Sequence, residues 1–437
     1  MESVRGTRNA AKGLKLLLLL AVLAGCSSES GDGASTLLER SGVPEEQVVL
    51  RYTSYLLDAA QSGKAYFEAI AEFEDRYPHI KIETDFIQNA NYTAGVKIRL
   101  LGGEKIDVFD TWSPSLFQEF RQLRDDMYLD LTGMDFLQDM LPNSLAPVTV
   151  DGKVLGAPEV MHSNGLIYNK TVFNQLGLEV PKTWEEFLAT CETLKAHGII
   201  PIATDSEWST AQFFWGPMLV NGGADPEWTR KLESGEIPVD NPLFVGAIRK
   251  HKEIIERGYV PPNWLQLKHE QAKDLVSQGK AAMITTGSWS LLSIKERNPS
   301  NEIGFMMIPG DTQTIPNINI GTYRVINART DYPEEARLFV AYMNSKANQE
   351  RLAAQALAVP SVASSQVVDH VIEDIATLLR REDAVLYWPH TVSNETLQMR
   401  IQEGVNKYLA GGTLADTLTD IEAALEDRRN GRRARDS

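Results

Sequence analysis

Apolar positions recur along the chain with two alternating periods. Val48-Val49-Leu50-Arg51-Tyr52 is a short β-branched and aromatic run of the kind that forms a strand. Ala65 to Tyr77 places Phe67, Ile70, Ala71 and Phe73 at three- and four-residue spacing, which predicts an amphipathic helix that Pro78 stops. His79 to Phe86 returns to alternation, with Ile80, Ile82 and Phe86 on one face. Tyr92 to Leu101 is helical again and ends at Gly102-Gly103. Ile106 to Phe109 is a further strand, and Ser113-Pro114 opens a further helix. This βαβαβα succession predicts an α/β fold with a mostly parallel sheet under covering helices.

A second region follows. Val148 to Leu155 reads as a hairpin, because Asp151-Gly152 supplies the positive φ of a type I′ turn. Gly165 to Tyr168 opens another αβ stretch, in which Ala281 to Thr286 and Ile303 to Met307 are strand candidates. Thr183 and Glu186 form a capping box ahead of an apolar run, and Cys191 falls inside the helix they start, as a small core residue. Pro333 to Arg428 is almost wholly helical in pattern, broken near Pro360 and Pro389. No repeat of fixed period runs along the chain.

The first 25 residues stand apart. Arg5, Arg8, Lys12 and Lys15 precede an apolar run from Leu16 to Ala24, the layout of a secretory signal peptide. That run is too short to span a bilayer, which needs roughly 20 residues. Leu23-Ala24-Gly25-Cys26 resembles a bacterial lipobox, which implies cleavage before Cys26 and diacylglycerol on its sulfur; the alternative is an ordinary signal peptide with an incidental cysteine. Residues 26–44, rich in Ser, Gly and Glu, then read as a flexible tether. The protein is thereby expected at the cell membrane, lipid-anchored on its extracytoplasmic face. Chemistry dependent on ATP or NAD has no supply there, and no cofactor is expected.

Removing residues 1–25 leaves 412 residues, which suit two or three domains, with 39 basic and 58 acidic side chains and a net charge of −19. Such a charge disfavours nucleic acid, which rewards Lys and Arg on its phosphates. With Cys26 lipidated, Cys191 has no partner, so no intrachain disulfide is expected. The basic tail, residues 429–437, reads as a solvated end, with contact to anionic lipid headgroups as the minor alternative.

The chain lacks the G-x-S-x-G, G-x-x-x-x-G-K-S/T and H-E-x-x-H motifs, and its seven histidines are scattered without a metal-binding pair. Carboxylates are abundant, so glycoside hydrolysis stays open; it needs two of them about 5–10 Å apart. Asp110 with Glu207 is the pair to nominate.

An ordered series of segments resembles the bacterial extracellular solute-binding proteins of family 1, the binding components of ABC importers, many of them sugar receptors of maltose-binding type. Ala71 to Ile82 resembles the opening helix and strand of that family, and Ile106-Asp107-Val108-Phe109-Asp110-Thr111-Trp112 its third strand and the following loop. Gly156-Ala157-Pro158 and Leu166 to Lys170 resemble the first crossing, and Pro181 to Phe187 a helix of the second lobe. Gly279 to Trp289 resembles the most typical stretch of the second half, and Glu335 to Met343 a late helix. The loop at 102–107 lacks the proline usual before the aspartate. The resemblance implies two lobes with a hinge and an interlobe cleft, a type II periplasmic-binding-protein fold. Residues 45–162 with 312–362 would form the N-terminal lobe, and 163–311 with 363–428 the C-terminal lobe. Crossings would fall near 162–164, 309–314 and 360–364.

Sugars present apolar C–H faces and rings of hydroxyls, which suit indole faces and polar side chains respectively. Trp289 follows a strand end and Gly287-Ser288, and matches the stacking position of the family. Trp112 stands at another strand end beside Asp110, a switch-point position where open α/β sheets place ligands. Glu207, Trp208 and Gln212 precede or open a helix, with Trp215 in its core. The resemblance adds Trp388, near a late aromatic that contacts sugar in maltose-binding members, and Tyr55 and Asp58 after the first strand. His162 and Asn164 flank the first crossing and Tyr323 lies on the return to the first lobe; these three, like Tyr55 and Asp58, are ligand contacts or else hinge and packing residues. The resulting expectation is a monomeric, non-enzymatic, metal-free receptor that closes on an oligosaccharide and delivers it to the transmembrane permease subunits of an ABC importer. The alternatives are a non-sugar cargo such as a polyamine, which the acidic balance permits, or a lipid-anchored polysaccharide hydrolase.

Overall fold

The computed structural model describes residues 47–57, 63–112, 114–205, 212–367, 369–393 and 395–436. Residues 1–46, with the stretches read as signal peptide, Cys26 and tether, lie outside the described residues, as do Asp58, Glu207 and Trp208. In chain order the strands of the first half are β1 (Val48–Ser54), β2 (Ile80–Phe86), β3 (Val108–Thr111), β4 (Thr149–Val150), β5 (Lys153–Val154), β6 (Ala157–Pro158) and β7 (Val160–His162). Those that follow are β8 (Asn164–Asn169), β9 (Ile200–Ala203), β10 (Ala281–Gly287), β11 (Ile303–Met306), β12 (Asn317–Ile320), β13 (Tyr323–Ile326), β14 (Val359–Pro360) and β15 (Val385–Leu386).

The first lobe is built on a sheet of order β2-β1-β3-β13-β6. β1 pairs in parallel with both β2 and β3, as the βαβαβα pattern requires, whereas β13 returns antiparallel to β3 and β6. The helices Gly63–Arg76 and Pro333–Met343 cover one face; Ala69, Phe73, Phe339 and Val340 from them are buried against Leu50, Tyr52 and Val108. Phe86 departs from its predicted inward face and is 43% exposed. It ends β2, the edge strand of the sheet. The Asp151-Gly152 hairpin forms as expected, with φ of 51° and 77° and Thr149 opposite Val154.

The second lobe has the sheet β11-β8-β10-β9, in which β8 is antiparallel to β10 and β11 while β9 is parallel to β10. Every residue of β10 is buried, as its continuous apolar run implies. The helix Trp184–Ala196 starts where predicted: Thr183 accepts the Glu186 N–H through its side chain, and the Glu186 carboxylate accepts from Lys182 N–H. Cys191 on this helix is buried in the core shared with Phe187, Trp215 and Phe244. The helices Glu395–Leu409 and Leu414–Asp436 close this lobe through Leu397, Ile401, Val405, Ile421 and Leu425. The last helix runs on into the basic tail; Arg428 donates to Ser393 and Arg429 to Glu422, so these two arginines serve the fold and the expected free end begins no earlier than residue 430.

A third sheet, β14-β7-β12-β15, is made from the crossings themselves. Ser163 alone separates β7 from β8, and Gly321-Thr322 separates β12 from β13. Residues 310–315 remain with the second lobe, since Gly310 O accepts Trp184 N–H and Asn221 Oδ1 accepts Ile315 N–H. No helix among the described residues is long and apolar enough to cross a membrane.

Candidate functional site

Strand ends of both lobes converge on the crossings. On the first lobe, Tyr55 follows β1, Trp112 follows β3, and Tyr92 stands on the helix Asn89–Leu101. Their rings form a triangle with centroid separations of 5.1 Å (Tyr55–Trp112), 5.3 Å (Tyr55–Tyr92) and 5.3 Å (Tyr92–Trp112). Tyr55 and Trp112 meet edge to face, the orientation that aromatic quadrupoles favour. The Tyr55 hydroxyl donates to Gly321 O at 2.9 Å and lies 2.6 Å from Thr322 Oγ1, which ties this platform to the second crossing.

His162 ends β7. Its Nδ1 lies 3.1 Å from Ser288 Oγ, and its ring meets Trp289 edge to face at 5.7 Å. Burial holds the imidazole down to about 4, so it is neutral at physiological pH. Gly321 passes close to this ring; a Cβ there would approach His162 Cδ2 at 3.1 Å. Asn164, beyond Ser163, is buried, and its backbone N–H and C=O both bond the Asn317 side-chain amide, at 2.9 and 2.8 Å. Asn164 Oδ1 in turn accepts from Asn319 at 3.1 Å. Behind the second lobe's strand ends, His269 Nδ1 lies 2.9 Å from the buried Asp205, which immediately precedes the undescribed residues 206–211.

Asp110 is drawn away from the cleft. Its Oδ2 accepts from Tyr52 and Ser54, and Arg324 Nε lies 3.5 Å from Oδ1. Arg324 also donates to Glu159 at 2.6 Å, and Tyr66 donates to the same carboxylate. All of these groups are buried, and burial pushes Asp110 up to about 6 against the pull of Arg324. Asp110 and Arg324 are register partners on β3 and β13, as are Thr111 and Tyr323, so the two pairs occupy opposite faces of the sheet. Asp110, expected to meet ligand beside Trp112, is thus buried on the face of the sheet opposite Thr111 and Tyr323, with its Oδ1 lacking a hydrogen-bond partner among the described residues.

Trp388 is 3% exposed and packs at 4.4 Å on Trp215 in the second lobe's core. Tyr323 is fully buried. Gln212 opens the helix Gln212–Asn221. Polar atoms without a hydrogen-bond partner among the described residues mark several of the expected positions: Asn164 Nδ2, Tyr323 Oη and Trp388 Nε1, together with Thr111 Oγ1, which the sequence did not single out. Glu395 was also not foreseen. It opens the helix Glu395–Leu409, and its carboxylate accepts from Trp112 Nε1 at 3.2 Å and Thr93 Oγ1 at 3.3 Å. Burial, then the nearby Glu119, raise its pKa, and the Trp112 and Thr93 bonds oppose them. Among the described residues no group of His, Cys, Asp and Glu is arranged to hold a metal ion.

The sequence model of the family described as bacterial extracellular solute-binding protein matches residues 58–350. A multiple sugar-binding protein of Streptococcus mutans serotype c is 27% identical over 69% of this chain and 72% of its own length. MelE of Bacillus subtilis strain 168, a melibiose/raffinose/stachyose-binding protein, is 27% identical over 80% of each chain. Among solved structures, RafE in complex with raffinose superposes with a TM-score of 0.75 at 22% identity, covering 87% of this chain and all of that one.

Proposed function

The chain belongs to the bacterial extracellular solute-binding protein family, and from that membership we propose that it captures an oligosaccharide between its lobes and hands it to the permease of an ABC importer. The observation that carries the cargo class is a set of buried polar atoms without hydrogen-bond partners among the described residues, spread over strand ends and crossings of both lobes: Thr111 Oγ1 at the end of β3, Asn164 Nδ2 at the start of β8, Tyr323 Oη at the start of β13 and Trp388 Nε1 after β15. An unmatched buried polar group costs about 1–3 kcal/mol. A sugar, dense in hydroxyls that both donate and accept, matches such a set, and the faces of Trp289 and Trp112 suit its C–H surfaces. The curated relatives bind sugars by name, melibiose, raffinose and stachyose among them.

Ligand stabilises the closed arrangement to the extent that it binds closed better than open. Trp289, Trp112, Tyr55, His162, Asn164, Tyr323 and Trp388 form the contact set we propose, with Asp58, Glu207, Trp208 and Gln212 as further members on sequence grounds. We take the lobes as 45–162 with 312–362 and 163–311 with 363–428, the second boundary shifted to about 316 by the bonds of Gly310 and Ile315 to the second lobe. Residues 23–26 support a lipid at Cys26 that tethers a monomeric receptor outside the cell. The test is thermal shift and calorimetry against melibiose, raffinose, stachyose, spermidine and amino acids. Ligand at 100 times Kd stabilises by about 2.7 kcal/mol. A response to one oligosaccharide family, with the sugar recovered intact, is expected. A response to spermidine alone overturns the cargo class, and recovery of cleaved sugar overturns the binding role.

A further inference from the structure

We propose that Glu395 is the closure latch of this receptor and the positioning residue for Trp112. The inference rests in part on the interlobe cleft being the sugar site. Glu395 belongs to the second lobe: the helix it opens is anchored there by Leu397, Ile401, Val405 and Leu409. Its two carboxylate oxygens accept from two different elements of the first lobe, Trp112 after β3 and Thr93 on the helix Asn89–Leu101. Three residues further along this seam on each side, Ser115 of the first lobe donates to Gln398 at 3.4 Å. Three hydrogen bonds thus reach from the first lobe to a single turn of a second-lobe helix.

The bonds are long, and the carboxylate gives up hydration beside Glu119, whose charge Lys97 neutralises through an ion pair. Desolvation of that kind offsets much of the attraction. The latch is therefore weak, which suits a lobe equilibrium that a ligand must be able to tip. Trp112 gains its full set of restraints only when the latch is made. Tyr55 and Tyr92 hold its ring from its own lobe, and Glu395 is the partner of its N–H among the described residues. Closing the lobes and orienting the Trp112 face are in this way one event.

Small-angle scattering of the ligand-free protein tests the latch, and titration with the sugar found above tests its consequence. Glu395→Ala is expected to enlarge the radius of gyration without sugar and to weaken sugar binding about tenfold, because apparent affinity scales with the closed fraction. Glu395→Gln keeps an acceptor and is expected to stay within about threefold of wild type. Thr93→Val, which removes one donor away from the aromatic face, is expected to fall between them. Circular dichroism of each variant establishes that it is folded, and if Glu395→Ala is not, Thr93→Val and Glu395→Gln carry the test. Unchanged ligand-free scattering in Glu395→Ala and Thr93→Val overturns the latch, and tighter sugar binding in Glu395→Ala overturns it too, since Glu395 would then compete with sugar for Trp112. If the wild type binds no sugar, the cargo reading fails while the ligand-free comparison still decides the latch.

Discussion

The six-membered ring of Trp289 lies directly over the Cα of Gly287, so close that a Cβ on Gly287 would sit 1.9 Å from the ring. The backbone there has φ −88° and ψ 161°, which any residue adopts. Gly287→Ala therefore leaves the strand end intact and displaces the indole. If Trp289 stacks on sugar, this variant loses about 1–2 kcal/mol of binding, a factor of roughly 5–30, by calorimetry. Unchanged affinity in a folded Gly287→Ala protein removes Trp289 from the site.

Asn317 does the work of a missing strand rung. Where β8 leaves β7 for the second lobe, its amide meets both backbone groups of Asn164. Asn317→Ala strands two buried backbone groups at about 1–3 kcal/mol each. Urea denaturation should show a loss of about 2–6 kcal/mol. A loss under about 1 kcal/mol would mean that water takes the place of the amide.

The buried hydroxyl of Tyr323 separates stability from binding. It has no hydrogen-bond partner among the described residues. Tyr323→Phe removes an unsatisfied group, so the sugar-free melting temperature should hold or rise, while sugar affinity falls about tenfold through a lost hydrogen bond of about 1.4 kcal/mol. A fall in melting temperature, or equal affinity for sugar, would exclude Tyr323 as a ligand contact.

Two buried groups push the acid stability in opposite directions. His162 is held down to about 4 from 6.5, so the unfolded chain takes up the proton first, and stability is lost as pH falls from 6.5 to about 4. Asp110 is pushed up to about 6 from 3.8, so its charge penalty, present above pH 6, is relieved as pH falls towards 3.8. Each contributes about 3 kcal/mol across its window, at 1.36 kcal/mol per pH unit. Buried His251, held down to about 3, adds to the loss. Stability should therefore fall on acidification, and Asp110→Asn should steepen that fall between pH 6 and 4. A slope unchanged by Asp110→Asn in denaturation series would show that Asp110 does not titrate there.

The local pattern of the first lobe was legible because β1, β2 and the helix between them carry two- and three-to-four-residue periods. β12 and β13 were not foreseen: Asn317–Ile320 and Tyr323–Ile326 are only four residues long and carry buried Asn317, Asn319 and Arg324, which hydropathy does not mark. The placement of Trp112 at a strand end was readable, but the direction of Asp110 was not, since one position along a strand decides which face a side chain takes. Glu395 meets Trp112 across 283 residues of sequence, and no local signal encodes a contact between lobes. Hydroxyl and amide atoms left unpaired, such as Asn164 Nδ2, become visible only once every neighbour is in place.

Cys191 lies sealed in the second lobe's core, and burial with the nearby Glu192 raises its thiol pKa well above the ordinary value. Maleimides and similar dyes attack thiolates at accessible sulfur. With Cys26 acylated or replaced, a cysteine engineered at the rim between the lobes would be the sole reactive handle on the described fold. A fluorophore placed there would report lobe motion without background, making the receptor a ready scaffold for an optical sugar gauge.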